Sequence, residues 1–226
     1  MSLEREAIPE VPKNFGRLLV ISGRSGAGKD AVFGEIIDMD LLGLNFKQVI
    51  TYATRRKRDT ESHKKDYYFT RRGKLFQMFE EGKLVEEPVK TGKSFKGTSK
   101  KEIAQVLNGI SLVWRIDIKR AADVATGDFF YRNFEEPTAK QLIKQTNVVF
   151  IDVEEEVLWE RRAKRAGLDV KLFIKRHGHE FRTRDEQERT LIQEHLHKFP
   201  HIIKNENGMQ RETVNEIERI IKSSLI

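Results

Sequence analysis

The chain contains no cysteine, which excludes disulfide bonds and thiolate metal sites and fits a reducing compartment. It also lacks any run near about 18 apolar residues, so we expect no membrane-spanning helix and no membrane partner. Residues 1–14 are charged and hold two of the chain's five prolines, Pro9 and Pro12. Because they have no apolar stretch, we expect no secretory signal there, and residues 1–3 resemble a cloning leader. These absences favour a cytoplasmic protein.

Basic residues outnumber acidic ones, which gives the 226-residue chain a net charge of +7. This length suits one α/β domain or a core with one or two small lobes. The positive excess fits either a nucleic-acid binder or a pocket that holds several phosphates at once. Composition alone does not choose between these two classes.

A glycine-rich segment, residues 23–30 (GRSGAGKD), follows an apolar run and opens a helical pattern. A strand, a glycine loop and a helix in that order are the context of a phosphate-binding loop, although a plain glycine turn is the simpler alternative. The loop amides and the helix N-terminus would hold the ATP phosphates, and Lys29 could reach the β- and γ-phosphates. Asp30 stands where Ser or Thr normally binds Mg²⁺, and its carboxylate is still a suitable ligand. We therefore predict an ATP site at Gly23, Ser25, Gly26, Ala27, Gly28, Lys29 and Asp30, with Asp30 as the metal ligand.

Predicted strands and helices alternate along the rest of the chain, which indicates a mostly parallel sheet. The strands are expected at residues 46–50, 110–118, 147–152 and 201–204. Helices are expected at residues 29–38, 75–81, 99–107, 154–166, from Asp169 toward 188, and 212–226, with Ser99 and Asp169 as N-caps. Residues 121–145 are hard to read, but Gly127 and Pro137 should interrupt any long helix there.

The densest run of polar side chains contains Arg55, Arg58, Glu61 and Tyr67. Arginine forks and a tyrosine hydroxyl suit phosphate oxygens, and a carboxylate such as Glu61 can hold two arginines in position. The same run is equally typical of a solvated surface or of a nucleic-acid-binding patch.

Two further carboxylates, those of Glu86 and Asp117, adjoin apolar residues. A carboxylate only accepts hydrogen bonds, so it suits the adjacent N–H donors of guanine, whereas adenine presents an acceptor at the same position. The alternatives are a surface residue at a strand end for Glu86 and a magnesium–water ligand for Asp117.

Together these residues resemble the guanylate kinase family over residues 18–225. The family's motifs are matched by residues 54–61 (TRRKRDTE), 66–69 (DYYF) and 97–98 (GT). The resemblance implies an α/β fold, with a three-layer parallel-sheet P-loop kinase core, a small mixed α+β lobe that binds the nucleoside monophosphate, and a helical lid. The core would comprise residues 16–50, 99–152 and 199–226, the GMP-binding lobe residues 51–98, and the lid with its following helices residues 153–198.

The same resemblance implies an activity: phosphorylation of GMP, or its deoxy form, to GDP by a monomer or weak homodimer, with ATP and Mg²⁺ as cofactors. Catalysis would involve Lys29 and the lid residues Arg161, Arg165 and Arg176, and Asn205 would contact the donor base. GMP would be bound by Thr51, Arg55, Arg58, Glu61, Tyr67, Glu86, Lys96, Thr98 and Asp117. Besides Asp30, three features depart from the family: Arg115 replaces a second acid, Lys96 lies where a tyrosine usually precedes the glycine, and residues 122–145 are longer than the family's connection.

Alternative functions remain open. Asp30 and Lys96 favour a kinase of another phosphorylated acceptor such as ribose bisphosphate, a group that often has Gly-Lys-Asp in its loop but lacks the full Arg-x-x-Arg-x-x-Glu motif. A catalytically silent guanylate-kinase-like interaction module is another reading, which the intact loop lysine opposes. The last is a nucleic-acid binder that uses residues 55–72, and we do not expect that partner. We also expect no zinc site, because histidines two residues apart do not share a helix face.

Overall fold

The computed structural model describes residues 16–225. The predictions about residues 1–14, and the end of the closing helix at residue 226, therefore lie outside the described residues.

Nine strands form two sheets within the described part of the chain. A five-stranded parallel sheet has the order β2-β7-β1-β8-β9, and a four-stranded mixed sheet has the order β4-β3-β6-β5. The parallel sheet and its helices confirm the predicted α/β class. The strands are β1 (Leu18–Gly23), β2 (Lys47–Gln48), β3 (Thr51–Ala53), β4 (Tyr67–Phe69), β5 (Val89–Thr91), β6 (Ser94–Gly97), β7 (Leu112–Arg115), β8 (Thr146–Asp152) and β9 (His201–Lys204).

Nine α-helices connect these strands in residues 16–225. The predicted N-caps Ser99 and Asp169 are confirmed, because each side chain accepts a hydrogen bond from a backbone N–H three residues on. No described helix combines the length and apolar character needed to cross a membrane. The helices are α1 (Lys29–Asp38), α2 (Arg72–Glu80), α3 (Lys100–Ala104), α4 (Ile118–Ala125), α5 (Asp128–Asn133), α6 (Glu136–Lys144), α7 (Glu155–Arg165), α8 (Val170–His195) and α9 (Gln210–Ser223).

The parallel sheet is buried on both faces, which explains why its central strands are continuously apolar. In β1, Leu18 and Val20 pack into one hydrophobic cluster, while Leu19 and Ile21 pack into the other. The first cluster includes residues of α4, α5 and α6, and the second includes residues of α1, α7 and α9. Because side chains alternate between the two faces of a strand, one run of four apolar residues holds two helical layers against the sheet.

The predicted strand at residues 110–118 is too long. β7 ends at Arg115, and α4 begins at Ile118. The Asp117 side chain accepts a hydrogen bond from the Arg120 amide at 3.0 Å, so it caps a helix where the apolar neighbours suggested a continuing strand. The segment that follows is three short helices, separated as expected at Gly127 (φ 83°) and at the proline that begins α6.

Candidate active site

The glycine-rich segment forms a tight loop between β1 and α1, and residues 23–29 are called the phosphate loop below. Gly23 has φ 144°, and a Cβ added there would lie 2.4 Å from the Ile151 carbonyl oxygen. Gly28 has φ 93° and caps α1 in the left-handed conformation. Only glycine adopts these conformations without strain. They let the backbone curve around the N-terminus of α1, and helix N-termini commonly bind anions.

The Lys29 ammonium lies at the mouth of this loop. Its Nζ donates to the Gly23 and Arg24 carbonyl oxygens at 2.7 and 2.9 Å. Burial lowers the pKa of Lys29 to about 8, although the nearby Glu188 and Asp30 carboxylates act in the opposite direction. The side chain is therefore still mainly charged at neutral pH and is already fixed beside the loop.

A carboxylate from α8 accepts a hydrogen bond from one of the loop amides. The Ser25 N–H donates to Glu188 Oε2 at 3.1 Å, and Arg184 Nε donates to Glu188 Oε1 at 3.1 Å. These two residues and Lys29 line a cavity of about 320 Å³, called the donor cleft, which also includes residues 115–118. The loop amide therefore binds an anionic oxygen, and a phosphate at that position has to displace Glu188.

A buried ion cluster ties the loop to α7 and α8. Arg162 donates through Nη1 and Nη2 to the two Asp185 carboxylate oxygens, each at 2.7 Å, and also donates to the Ser25 carbonyl. Arg24 Nη2 lies 3.6 Å from Asp185 Oδ1. The Asp185 side chain is 1% exposed. Two guanidinium groups thus share one buried carboxylate directly behind the loop.

Arg161 and Asn205 lie behind the loop and support it. The Asn205 amide donates to the Ala27 carbonyl at 2.8 Å, and the Thr213 hydroxyl donates to its Oδ1 at 3.1 Å. Arg161 donates to the carbonyls of Ala27 and Asn205 at 3.2 and 2.7 Å. The Asn205 side chain is buried and committed to these partners, and its contact with the donor base stays a prediction.

The other two expected lid arginines stand apart from the loop. Arg165 and Arg176 are exposed, and neither is among the residues that line the donor cleft within the described chain. The α8 arginine that lines the donor cleft is Arg184, two turns beyond Arg176. The proposed part of Arg165 and Arg176 in a lid stays a prediction.

A second cavity of about 260 Å³, called the acceptor cavity, collects most of the residues expected to bind GMP. Burial raises the pKa of Glu86, and the Arg120 guanidinium 2.6 Å from its Oε2 opposes that shift. The Glu86 carboxylate, which is expected to bind guanine, is thus paired with the Arg120 guanidinium. Six expected residues line the cavity: Thr51, Tyr67, Glu86, Lys96, Thr98 and Asp117.

The remaining expected residues form a cluster that adjoins the cavity through Tyr67. Arg55 makes a bidentate pair with Glu61, with both N–O distances 2.5 Å, and its guanidinium lies 5.1 Å from the Tyr67 ring centroid. The hydrogen bond from Arg55 lowers the pKa of Glu61 to about 2. Lys96 Nζ lies 3.3 Å from the Tyr67 hydroxyl. Arg58 is exposed and contacts Glu61 through its backbone amide at 3.0 Å.

The Asp30 carboxylate is paired with an arginine, and its role as a magnesium ligand stays a prediction. The Asp30 carboxylate, the predicted ligand, lies with Oδ1 2.5 Å from Arg115 Nη1. Residues 16–225 hold no group of three or more His, Asp or Glu side chains placed to bind a metal ion. A divalent cation at Asp30 would face the guanidinium charge at close range, and Coulomb repulsion opposes that arrangement.

The chain was compared with models of known protein families. A family model described as guanylate kinase matches residues 15–224. The chain belongs to the guanylate kinase family. This confirms the family predicted from the sequence motifs.

Similar proteins include the guanylate kinase of Blochmanniella pennsylvanica, 37% identical over 113 residues that cover 50% of this chain and 53% of the relative. Another is the chloroplastic/mitochondrial guanylate kinase 2 of Oryza sativa subsp. japonica, 29% identical over 216 residues, or 94% of this chain and 66% of the relative. The chain therefore matches about half to two thirds of the length of these relatives. A crystal structure of guanylate kinase from Anaplasma phagocytophilum has the same fold, with a TM-score of 0.55, 20% identity, and coverage of 95% of this chain and 88% of that one.

Several side chains around this guanylate kinase family site were not singled out from the sequence. Arg162 is masked by its basic neighbours, and Arg120 lies between the strand predicted to end at residue 118 and the hard-to-read segment that begins at residue 121. Asp185 and Glu188 carried one usable signal: they are three residues apart, so they share a face of their helix. The missed residues are Arg24, Arg120, Arg162, Arg184, Asp185 and Glu188.

Proposed function

We propose that this protein transfers the terminal phosphoryl group of ATP to GMP, or to its deoxy form. The observation that carries the proposal is that the donor cleft and the acceptor cavity share one wall, residues 115–117 at the end of β7. A loop suited to a triphosphate and a cavity suited to a guanine nucleotide thus lie on the two sides of one strand end.

On the donor side, the loop amides and Lys29 would bind the β- and γ-phosphates. Glu188 leaves the Ser25 amide when the nucleotide enters, because one N–H cannot serve both anions. Arg161, Arg162 and Asn205 donate hydrogen bonds to the loop carbonyls from behind, so the loop keeps its shape as the anion changes. Preorganised amides of this kind stabilise charge without reorganising during the reaction.

On the acceptor side, Glu86 would accept the N1–H and N2–H donors of guanine, with Thr51, Thr98 and Asp117 around the base and sugar. The acceptor phosphate would lie against Tyr67, Lys96 and the arginine pair Arg55 and Arg58. Glu61 holds Arg55 by its bidentate pair, so this guanidinium is oriented before the substrate arrives.

The transfer itself forms a bond between an oxygen of the acceptor phosphate and the γ-phosphorus, and it breaks the bond to the β–γ bridging oxygen, whose electron pair stays with ADP. The attacking oxygen is already anionic, so no strong general base is needed. Charge has to be neutralised by the cations around the two phosphates. Arg165 and Arg176 are proposed to join them when the lid closes, and Mg²⁺ is proposed to accompany ATP on phosphate oxygens and water. A monomer or weak homodimer is expected to carry out the reaction.

The test is a panel of acceptors incubated with ATP and Mg²⁺, with ADP release as the readout. The panel contains GMP, dGMP, AMP, IMP, CMP, UMP and ribose 1,5-bisphosphate. Response to GMP and dGMP supports the proposal. Response to the sugar phosphate alone supports the second candidate, which the Asp30 loop and Lys96 favour. No response to any acceptor would favour a catalytically silent module.

A further inference from the structure

Arg115 occupies the junction of the two cavities. It is the last residue of β7, and its side chain lines both the donor cleft and the acceptor cavity. Lys29 lines only the donor cleft, while Tyr67 and Lys96 line only the acceptor cavity. Among the cationic side chains of residues 16–225 that line these two cavities, Arg115 alone belongs to both.

The Arg115 side chain is held on three sides. Nη1 donates to Asp30 Oδ1 at 2.5 Å, and Nη2 donates to Gln48 Oε1 at 2.6 Å. Its Cζ lies 4.4 Å from the centroid of the Phe33 ring. A guanidinium carries five N–H donors, and these two bonds use two of them. Arg115 is therefore fixed in place with donors left for further oxygen atoms.

This fixed charge lies where a phosphoryl transfer needs one. Two phosphate groups that react must approach although both are anionic, and a guanidinium between them offsets that repulsion. Arg115 and Lys29 both line the donor cleft. The two cations thus flank the volume in which the donor's terminal phosphate would lie.

We infer that Arg115 contacts the terminal phosphate of the donor and the phosphate of the acceptor together, and that Asp30 positions Arg115 instead of binding a metal ion. This inference rests on the proposed function. It explains why a carboxylate follows the loop lysine: Asp30 is 78% exposed and is paired with the residue that bridges the cavities.

The test uses adenosine and guanosine joined through five phosphates, a ligand that fills both cavities at once. Affinities for this ligand, for ADP and for GMP are measured by calorimetry on the whole protein. Arg115→Met should weaken the joined ligand by about 10- to 100-fold, as expected for the loss of charge-assisted hydrogen bonds, and each separate nucleotide by less than about threefold. In turnover, kcat should fall strongly while the two KM values change little.

Asp30→Asn separates the positioning role from metal binding. If Asp30 acts through Arg115, this variant weakens the joined ligand even in the presence of EDTA, when no divalent metal is bound. An effect of Asp30→Asn that appears only with Mg²⁺ would overturn the assignment and return Asp30 to the metal.

Arg211→Met is the matched control, because Arg211 pairs with Glu35 on the same helix α1 but lies away from both cavities. It should leave all three affinities and turnover unchanged. If Arg115→Met does not fold, Arg115→Lys retains the charge without the fork and should give a smaller loss of the same kind. Equal weakening of all three ligands, or none, would refute the inference. A wild-type protein that binds no GMP would instead refute the proposed function.

Discussion

Asp185→Ala tests whether the buried cluster behind the phosphate loop stabilises the fold. The substitution removes the carboxylate shared by Arg162 and Arg24, whose side chains are 4% and 9% exposed. Two nearly buried guanidinium groups then lose their common counter-ion. Removing one partner of a buried pair typically costs about 3–5 kcal/mol, much more than an exposed pair contributes.

The contacts that remain place the expected cost near the lower end of that range. Arg162 still donates to the Ser25 carbonyl, and its guanidinium lies 4.8 Å from the Phe181 ring centroid. Arg24 keeps Glu155 at 3.9 Å. We therefore expect the free energy of unfolding to fall by about 3 kcal/mol, which lowers Tm by roughly 6–12 °C in a protein of this size.

Urea unfolding followed by far-UV circular dichroism measures this loss, with two matched variants. Glu136→Ala breaks the exposed pair with Lys140, whose side chains are 68% and 59% exposed, and should change stability by about 0.5 kcal/mol or less. Asp185→Leu combined with Arg162→Met replaces this pair by apolar groups and should recover part of the loss, because Arg24 still lacks the Asp185 carboxylate. If Asp185→Ala unfolds at the same urea concentration as Glu136→Ala, the buried cluster does not stabilise the fold as argued.

Three further predictions concern the two cavities. Lys29→Met should abolish turnover with GMP binding nearly unchanged, and in the wild type kcat/KM for ATP should decline above pH about 8, where the free ammonium loses its proton; retained turnover would remove Lys29 from the mechanism. Glu86→Gln puts an amide donor toward the N–H edge of guanine, so kcat/KM should fall by about 100-fold for GMP and by less for IMP, which lacks the 2-amino group; an unchanged GMP to IMP ratio would contradict this role. Glu188→Gln removes the charge that competes for the Ser25 amide, so calorimetry should show ADP bound about fivefold more tightly; equal or weaker binding would show that Glu188 does not block the site.

Features with a local cause could be predicted from the sequence. The helix predicted at residues 29–38 has those bounds in the structure, because the glycine at its start and the lysine that follows are part of one short motif. The strand predicted at residues 147–152 is β8 with one residue more, because a strand buried on both faces needs an uninterrupted apolar run. The three short helices of residues 118–144 follow the glycine and proline breaks.

Features that depend on distant residues could not be predicted. Ser25 and Glu188 are 163 positions apart, and Arg162 and Asp185 are 23 apart on different helices. The local sequence of the charged helices α7 and α8 does not indicate which of their faces contacts the phosphate loop. Asp117 shows the same limit at short range, because its apolar neighbours suit either a strand or the first turn of a capped helix.

The sheet order explains why one strand end serves both nucleotides. β7 lies between β2 and β1, so its carboxyl end has the phosphate loop on one side and Gln48, the last residue of β2, on the other. Ligands of open α/β sheets bind beyond the carboxyl ends of the strands, and here three neighbouring strand ends meet in that position. A side chain at the end of β7 is thereby brought beside both cavities by topology alone. An arginine there is held by Gln48 at the end of the neighbouring strand β2 and by Asp30 in the helix that follows the other neighbouring strand, β1.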